Sequence, residues 1–210
     1  MVKKARNIAP AKGRLAVLVP GLGAVATTLI AGVEAIRRGR AKPIGSLTQM
    51  ATIRLGKRTE KRSPLIRELV PIAALDDLRF GAWDPFPDDA YASAQNARVL
   101  DRTLVDELRE PLERVRPMAA VFSPEYVRRL DGPNVKRAPD KRELGEALRA
   151  DIRRFLREQD CARAVMVWCA STEVFLEPSA VHGELARFER AMEANDPAIA
   201  PSMNVKLAAL

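Results

Sequence analysis

Apolar and polar positions along this chain follow two periods, and each change of period marks an element. Residues 14–20 form a continuous Leu/Val run closed by Pro20. Such a run is too short for a helix and predicts a strand buried on both faces. From about residue 23 the period is helical, with Leu29, Ile30, Val33 and Ile36 on one side. Arg37-Arg38-Gly39 then places cations and a breaker where the helix dipole is negative. Leu78 to Trp83 predicts a second strand, ending at Asp84 before the breakers Pro85 and Pro87. Asp88-Asp89 opens a helix to about Val99, and Leu104, Leu108, Leu112 and Val115 stripe another from Asp101 to Val115. Pro117 to Phe122 reads as a third strand, Ser123 to Tyr126 as a turn into a short helix, and 131–140 as a loop. Asp140 caps a long helix to about Glu158, striped by Leu144, Leu148, Ile152 and Phe155, with its charges facing water. Ala162 to Trp168 is a fourth strand. Ser179 to Ala194 is a further helix with Val181, Leu185, Phe188 and Met192 inward.

Strands alternating with helices specify an α/β fold with a doubly wound parallel sheet. One segment interrupts the alternation. A second strand should follow the first helix within a few residues, yet residues 40–75 hold Pro43, Gly45, Gly56, Pro64 and Pro71 in a polar, basic setting. An excursion of this length is functional or contacts a neighbour.

Composition narrows the classes. At 210 residues and 47% hydrophobic content the chain can bury a large core in one domain. No apolar run is long enough to cross a bilayer and no leader pattern opens the chain, so the expected compartment is the cytoplasm, with no membrane partner. Two cysteines, Cys161 and Cys169, and a single histidine, His182, are too few for a disulfide framework, a thiolate metal cage or a histidine-based site, so no metal is expected. The net charge of +8 is owned by one stretch: residues 37–67 carry ten Lys/Arg against Glu60. That stretch has no aromatic residue on which bases stack, which argues for a solvated or intersubunit surface and against nucleic acid.

Candidate chemistry gathers at strand ends. Gly21, Gly23 and Ala26 follow the first strand as Gly-x-Gly-x-x-Ala, a spacing that curls the backbone and aims the next helix at a phosphate. An ordinary strand-to-helix turn accounts for these three residues equally well. Asp84 stands where a ribose-holding acid belongs, or merely opens a turn. Cys169-Ala170-Ser171-Thr172-Glu173 closes the fourth strand, on the side where open α/β sheets bind ligands. Cys169 reads as a small wall residue, since no histidine is placed to activate it. His182 reads as an ordinary helix residue, and Glu173 and Glu177 as site walls or surface carboxylates. The residues alone leave a non-catalytic nucleotide-binding or interaction module open beside an enzyme.

Several blocks together resemble a family. Val19-Pro-Gly-Leu-Gly-Ala-Val-Ala-Thr-Thr28, Gly81-Ala-Trp83-Asp84 and Trp168-Cys-Ala-Ser-Thr-Glu173 occur in this order with Gly45-Ser-Leu-Thr-Gln-Met50, Arg54-Leu-Gly-Lys-Arg-Thr-Glu-Lys-Arg62, Arg129-Leu-Asp-Gly132 and Asn195-Asp-Pro-Ala-Ile-Ala-Pro-Ser202. Over residues 13–203 the chain thus resembles the bacterial branch of the myo-inositol-1-phosphate synthase (inositol-3-phosphate synthase) family. The resemblance implies a Rossmann-like NAD-binding domain and an isomerase of inositol and phospholipid biosynthesis, converting glucose 6-phosphate to 1D-myo-inositol 3-phosphate. In that chemistry NAD is reduced and reoxidised within one turnover, around enolisation and an aldol closure. It further implies that Gly21, Leu22, Gly23, Ala24 and Val25 line the pyrophosphate and that Asp84 holds the adenosine ribose. Val121 would lie beside the adenine, with Ala170, Ser171 and Thr172 against the cofactor. Eukaryotic members carry Asn where Ser171 stands and are richer in Gly and Asn at the first turn, so amide contacts there do not transfer.

Family members run to roughly twice this length, and their lysine-bearing catalytic and tetramer-forming region lies beyond Ser202. The expected organisation is an extension over residues 1–12, the dinucleotide domain over 13–203 with its basic insertion at 40–75, and the truncated start of a second domain at 204–210. Catalytic residues are unassigned, and the chain alone is expected to be inactive.

Overall fold

The computed structural model describes residues 12–209, so nearly all of the expected extension over residues 1–12 lies outside the described residues. The apolar run forms β1 (Arg14–Pro20), fully buried from Ala16 onward, and α1 (Ala24–Arg37) leaves it after the glycine turn. The insertion holds two single-turn helices, α2 (Leu47–Met50) and α3 (Ile66–Leu69), before β2 (Leu78–Asp84). Then come α4 (Ala90–Ala97), α5 (Arg102–Glu107), α6 (Arg109–Glu113), β3 (Pro117–Ala119), α7 (Lys141–Glu158), β4 (Cys161–Met166), α8 (Leu185–Glu193) and α9 (Pro201–Ala208).

The sheet order is β3-β2-β1-β4 and every pairing is parallel. The chain builds outward from β1 through β2 to β3, then α7 returns it to the opposite side of β1 for β4. That reversal opens a crevice at the carboxyl ends of β1 and β4. Side chains alternate across β1 as the pleat requires. Val17 and Val19 pack with Ile30, Leu108 and Leu112 under α1 and α4–α6, whereas Ala16 and Leu18 pack with Trp83, Leu148 and Val205 under α7 and α9. Helices therefore cover both faces, the doubly wound arrangement expected. On its outer edge β4 pairs with no strand among the described residues, and Val165 is left 44% exposed.

Several expected elements differ. The helix expected over 101–115 divides into α5 and α6, because Pro111 has no N–H for the Glu107 carbonyl and its ring crowds that group. Leu108, Leu112 and Val115 stay buried regardless. The third strand is shorter than Pro117–Phe122. Ala120 instead bonds the chain at 134–136, its N–H donating to the Asn134 carbonyl at 2.9 Å and its carbonyl accepting from Lys136 N–H at 2.8 Å. Ser123–Tyr126 is a turn with no helix after it. The 179–194 helix is a single 3-10 turn at Ala180–His182 followed by α8. Val181, Phe188 and Met192 pack with Ile199, but Leu185 is 63% exposed and does not face inward.

Nor do all the charges of α7 face water. Asp151 is 4% exposed beneath the sheet, where it accepts from Trp83 Nε1 at 3.0 Å, Lys136 Nζ at 2.6 Å and Arg154 Nη2 at 2.8 Å. A carboxylate there is tolerable only because each desolvated oxygen has donors. The insertion is an arm whose two limbs pair antiparallel, Ile53 N–H donating to Pro64 O at 3.0 Å and Leu55 N–H to Arg62 O at 2.9 Å. Its cations Arg54, Lys57, Arg58, Lys61 and Arg62 are all exposed. Arg37 pins its return, donating from Nε to Leu75 O at 2.9 Å and from Nη2 to Leu78 O at 2.7 Å. Removing the buried acceptor strands Lys136 and Trp83, so Asp151→Ala is expected to lower unfolding stability by about 3 kcal/mol, against a much smaller loss for the exposed Glu146→Ala. Urea unfolding followed by Trp fluorescence checks this.

Candidate functional site

Gly21 is where three strand ends meet. Its φ of +88° lies in the left-handed region, and its N–H donates to Trp83 O at the end of β2 at 2.7 Å. A Cβ here would stand 2.5 Å from Ala170 Cα, in the chain continuing from β4. That continuation runs past Met166 alongside β1, with Val167 N–H on Leu18 O at 2.9 Å and Cys169 N–H on Pro20 O at 3.0 Å. Gly23 is glycine for a different reason. As N-cap of α1 it has ordinary extended angles, offers no side-chain cap, and a Cβ on it would meet nothing within 4 Å. The first-turn N–H groups of α1 therefore look into open space, an anion-binding end of a helix whose approach no side chain blocks. Ala26 is fully buried, letting α1 lie close to the sheet.

Asp84 closes β2 against this turn. Its Oδ2 accepts from Leu22 N–H at 2.7 Å and its Oδ1 from Phe86 N–H at 3.0 Å. Burial pushes its carboxyl above the ordinary value, the two backbone donors pull it back, and neighbouring Asp88 pushes it up further. The loop behind Asp84 is fixed from the 131–140 segment. Asn134 Nδ2 donates to Asp84 O at 2.9 Å, Asn134 N–H to Pro85 O at 2.8 Å, and a Cβ on Gly132 would fall 2.3 Å from Pro85 O. Across the crevice, Glu173 accepts from Ser202 N–H at 2.9 Å and from the Ser202 hydroxyl, capping the first turn of α9 and holding it on the far wall.

Between these walls lies a cavity of about 550 Å³, within the range of small-molecule sites. Gly21, Leu22, Gly23, Ala24, Asp84, Val121, Ala170 and Ser171 all line it, as does Glu173. Val25, 67% exposed on the solvent side of α1, and Thr172 do not line it, and neither does Glu177. Leu22 contributes backbone only, its side chain being buried in the core. Trp83, Phe86, Phe122 and Trp168 also line the cavity, as do Asp88, Ser93 and Asn96. Sequence reading singled out none of these as site residues, although the aromatics flank the strand ends. Three carboxylates line the cavity, and among the described residues no Lys, Arg or His does. Cys169 is held in its thiol form by burial, which suits a wall residue. His182 is structural, its Nδ1 accepting from Ser179 N–H at 2.9 Å and its Nε2 lying 3.0 Å from Ala198 O.

An open parallel sheet, a glycine turn at the strand-order reversal and an acid closing the second strand define a dinucleotide-binding α/β domain. Comparisons place it further. The NAD-binding family model described as myo-inositol-1-phosphate synthase matches residues 15–210, and the chain belongs to that family. It is 45% identical over 207 residues to inositol-3-phosphate synthase 1 of Bacteroides thetaiotaomicron, covering 98% of this chain and 48% of the relative. It is 30% identical over 204 residues to inositol-3-phosphate synthase 1 of Oryza sativa subsp. japonica, covering 90% of this chain and 40% of the relative. The crystal structure of inositol-3-phosphate synthase from Caenorhabditis elegans superposes on 94% of this chain and 42% of its own, with a TM-score of 0.84 at 24% identity, a likeness of fold. The chain spans about half the length of the curated relatives it matches.

The two glycines separate stability from ligand access. Gly21→Ala, which forces a Cβ into the Ala170 backbone at positive φ, is expected to lower stability by about 2 kcal/mol or more. Gly23→Ala should leave the ligand-free chain within about 1 kcal/mol of wild type. Parallel thermal melts distinguish the two.

Asp84 gives a signed pH dependence. Because its folded pKa is raised, the folded state holds the proton more tightly than the unfolded chain, and its contribution to stability falls as pH climbs from the ordinary carboxylate value through the folded one. The stability of wild type relative to Asp84→Asn should therefore be highest below the ordinary carboxylate value and decline as pH rises through it towards neutrality. Urea titrations across that range show the slope, which would reverse if the pKa were lowered.

Proposed function

We propose that this chain is the NAD-binding part of an inositol-3-phosphate synthase, the enzyme that converts glucose 6-phosphate to 1D-myo-inositol 3-phosphate. The observation that carries the reading is the pairing of an unobstructed α1 N-terminus at Gly23 with a carboxylate tied to Leu22 N–H, both facing one cavity. These residues fit an adenine dinucleotide. The first-turn N–H groups from Gly23 to Val25 receive the pyrophosphate, Asp84 accepts from the adenosine ribose hydroxyls, and Val121 and Phe122 supply apolar wall to the adenine. Ala170 and Ser171 border the cofactor from the chain beyond β4, with Thr172 following them outside the cavity wall. Bound NAD supplies a hydride acceptor that can return what it takes.

The residues of this crevice bind and orient, but the chemistry needs more. Enolate and alkoxide charge developing on a sugar phosphate requires a cation, and among the described residues the cavity wall offers carboxylates, neutral polar groups and a neutral thiol but no Lys, Arg or His. In this reading the catalytic charge is supplied from outside this cavity wall. In this reading residues 13–203 act as the dinucleotide domain, the basic arm at 40–75 as its contact with neighbouring chain in a homo-tetramer, and 204–210 as the lead into the completing region. In this reading the chain works in the cytoplasm. No helix among the described residues is long and apolar enough to cross a membrane.

Thermal shift with NAD and NADP tests the reading. At NAD one hundred times its Kd the expected stabilisation is about 2.7 kcal/mol, a rise of roughly 5–10 °C for a chain of this size. NADP should give less, because Asp84 repels a 2′-phosphate, and Gly23→Ala should lose the NAD shift. Glucose 6-phosphate with NAD should yield no inositol phosphate on this chain alone. Equal shifts from both dinucleotides, or none from NAD, would contradict the assignment.

A further inference from the structure

The ribose end of the cavity carries a second acid that the family resemblance does not touch. Asp88 lines the cavity together with Asp84, on the connection over residues 85–89 that leads into α4. Two residues of that helix hold it. Asn96 Nδ2 donates to Asp88 Oδ2 at 3.2 Å, and Ser93 Oγ lies 3.5 Å from the Asp88 carbonyl. Asn96 and Ser93 line the same end of the cavity. The N-terminus of α4 is already served by Asp89, whose carboxylate accepts from Ala92 N–H at 2.9 Å, so Asp88 is not used as a cap. Among the described residues no salt bridge reaches it and no cation lines the cavity wall.

Resting on the NAD reading above, we propose that Asp88, held in place by Asn96, is a second specificity-determining carboxylate that rejects a phosphate on the adenosine ribose. The physical reason is Coulombic. A single exposed carboxylate is a weak barrier to a dianion in salt, whereas two acids on one rim, with no cation between them, double the repulsion where the 2′-phosphate would sit. Asp84 cannot simply turn away from the phosphate, because Leu22 N–H and Phe86 N–H hold both of its oxygens. Asp88 bonds through a single amide donor and is exposed, so it acts by charge and position and can be altered without disturbing the fold.

Isothermal titration of the full 210-residue chain with NAD and with NADP, at low and at high salt, tests the proposal on wild type, Asp88→Asn and Asn96→Arg. Wild type should prefer NAD, by a margin that narrows as salt rises. Asp88→Asn should tighten NADP about tenfold while NAD stays within about threefold. Asn96→Arg removes the amide clamp and brings a guanidinium to the same rim, and should tighten NADP at least as much. NADP affinity unchanged in both variants, with NAD still bound, overturns the role of Asp88. Loss of NAD binding in Asp88→Asn also overturns it, by making Asp88 a group that holds the nucleotide. Wild type that binds neither dinucleotide defeats the cofactor reading itself, a result distinct from both.

Discussion

Everything in this fold that bears on function depends on backbone meeting backbone at Gly21. Its N–H reaches the end of β2 at Trp83 O, and the space a side chain would fill is taken by Ala170 beyond β4. Three strand ends thereby come within van der Waals contact at one residue. The carbonyl of Trp83 and the carboxylate of Asp84 take up consecutive N–H groups of the turn, those of Gly21 and Leu22. With the turn locked, α1 leaves the sheet with its dipole aimed along the crevice, and Gly23 keeps that approach clear. The division of labour between the glycines follows: one lets the protein close, the other leaves it open.

Support for this junction comes from the reverse side of the sheet. Trp83 contributes its carbonyl to Gly21 and its indole N–H to Asp151 on α7, so one residue links the turn to a buried ionic cluster. Lys136, which pairs with that same carboxylate, belongs to the segment that bonds Ala120 and, through Asn134, fixes the loop after Asp84. A buried ion pair is weak evidence for stability but a good device for register. Here it holds the returning 134–136 segment and α7 to the strand end that carries the acid.

What the sequence makes legible follows from the range of each interaction. β1 and α1 are visible because their signals are local: a buried parallel strand needs an unbroken Val/Leu run and its helix a 3.6-residue stripe. The break between α5 and α6, by contrast, turned on Pro111 against an otherwise unbroken leucine stripe, and there the backbone rule outweighed the pattern. Eight of the ten residues that the sequence assigned to the cofactor line the crevice, because ligands in this topology gather at strand ends. Val25 follows Gly23 in sequence but turns its side chain to solvent, so only its N–H is offered to the crevice. Asp151, Asn134 and Asn96 were not legible, since each matters through a partner between 8 and 68 residues away. The charge excess was located correctly but lies on the arm, away from the cavity, whose own wall is acidic.

The central claim is that the crevice at Gly21 grips a dinucleotide through the first turn of α1. It is tested most directly by titrating the isotope-labelled chain with NAD and following its backbone amides by NMR. The account predicts that the amides of Gly23, Ala24 and Val25 shift most, with those of Leu22 and Phe86 following as Asp84 takes up the ribose, while the arm at 54–62 stays still. Shifts confined to the basic arm, with the α1 turn unmoved, would contradict it.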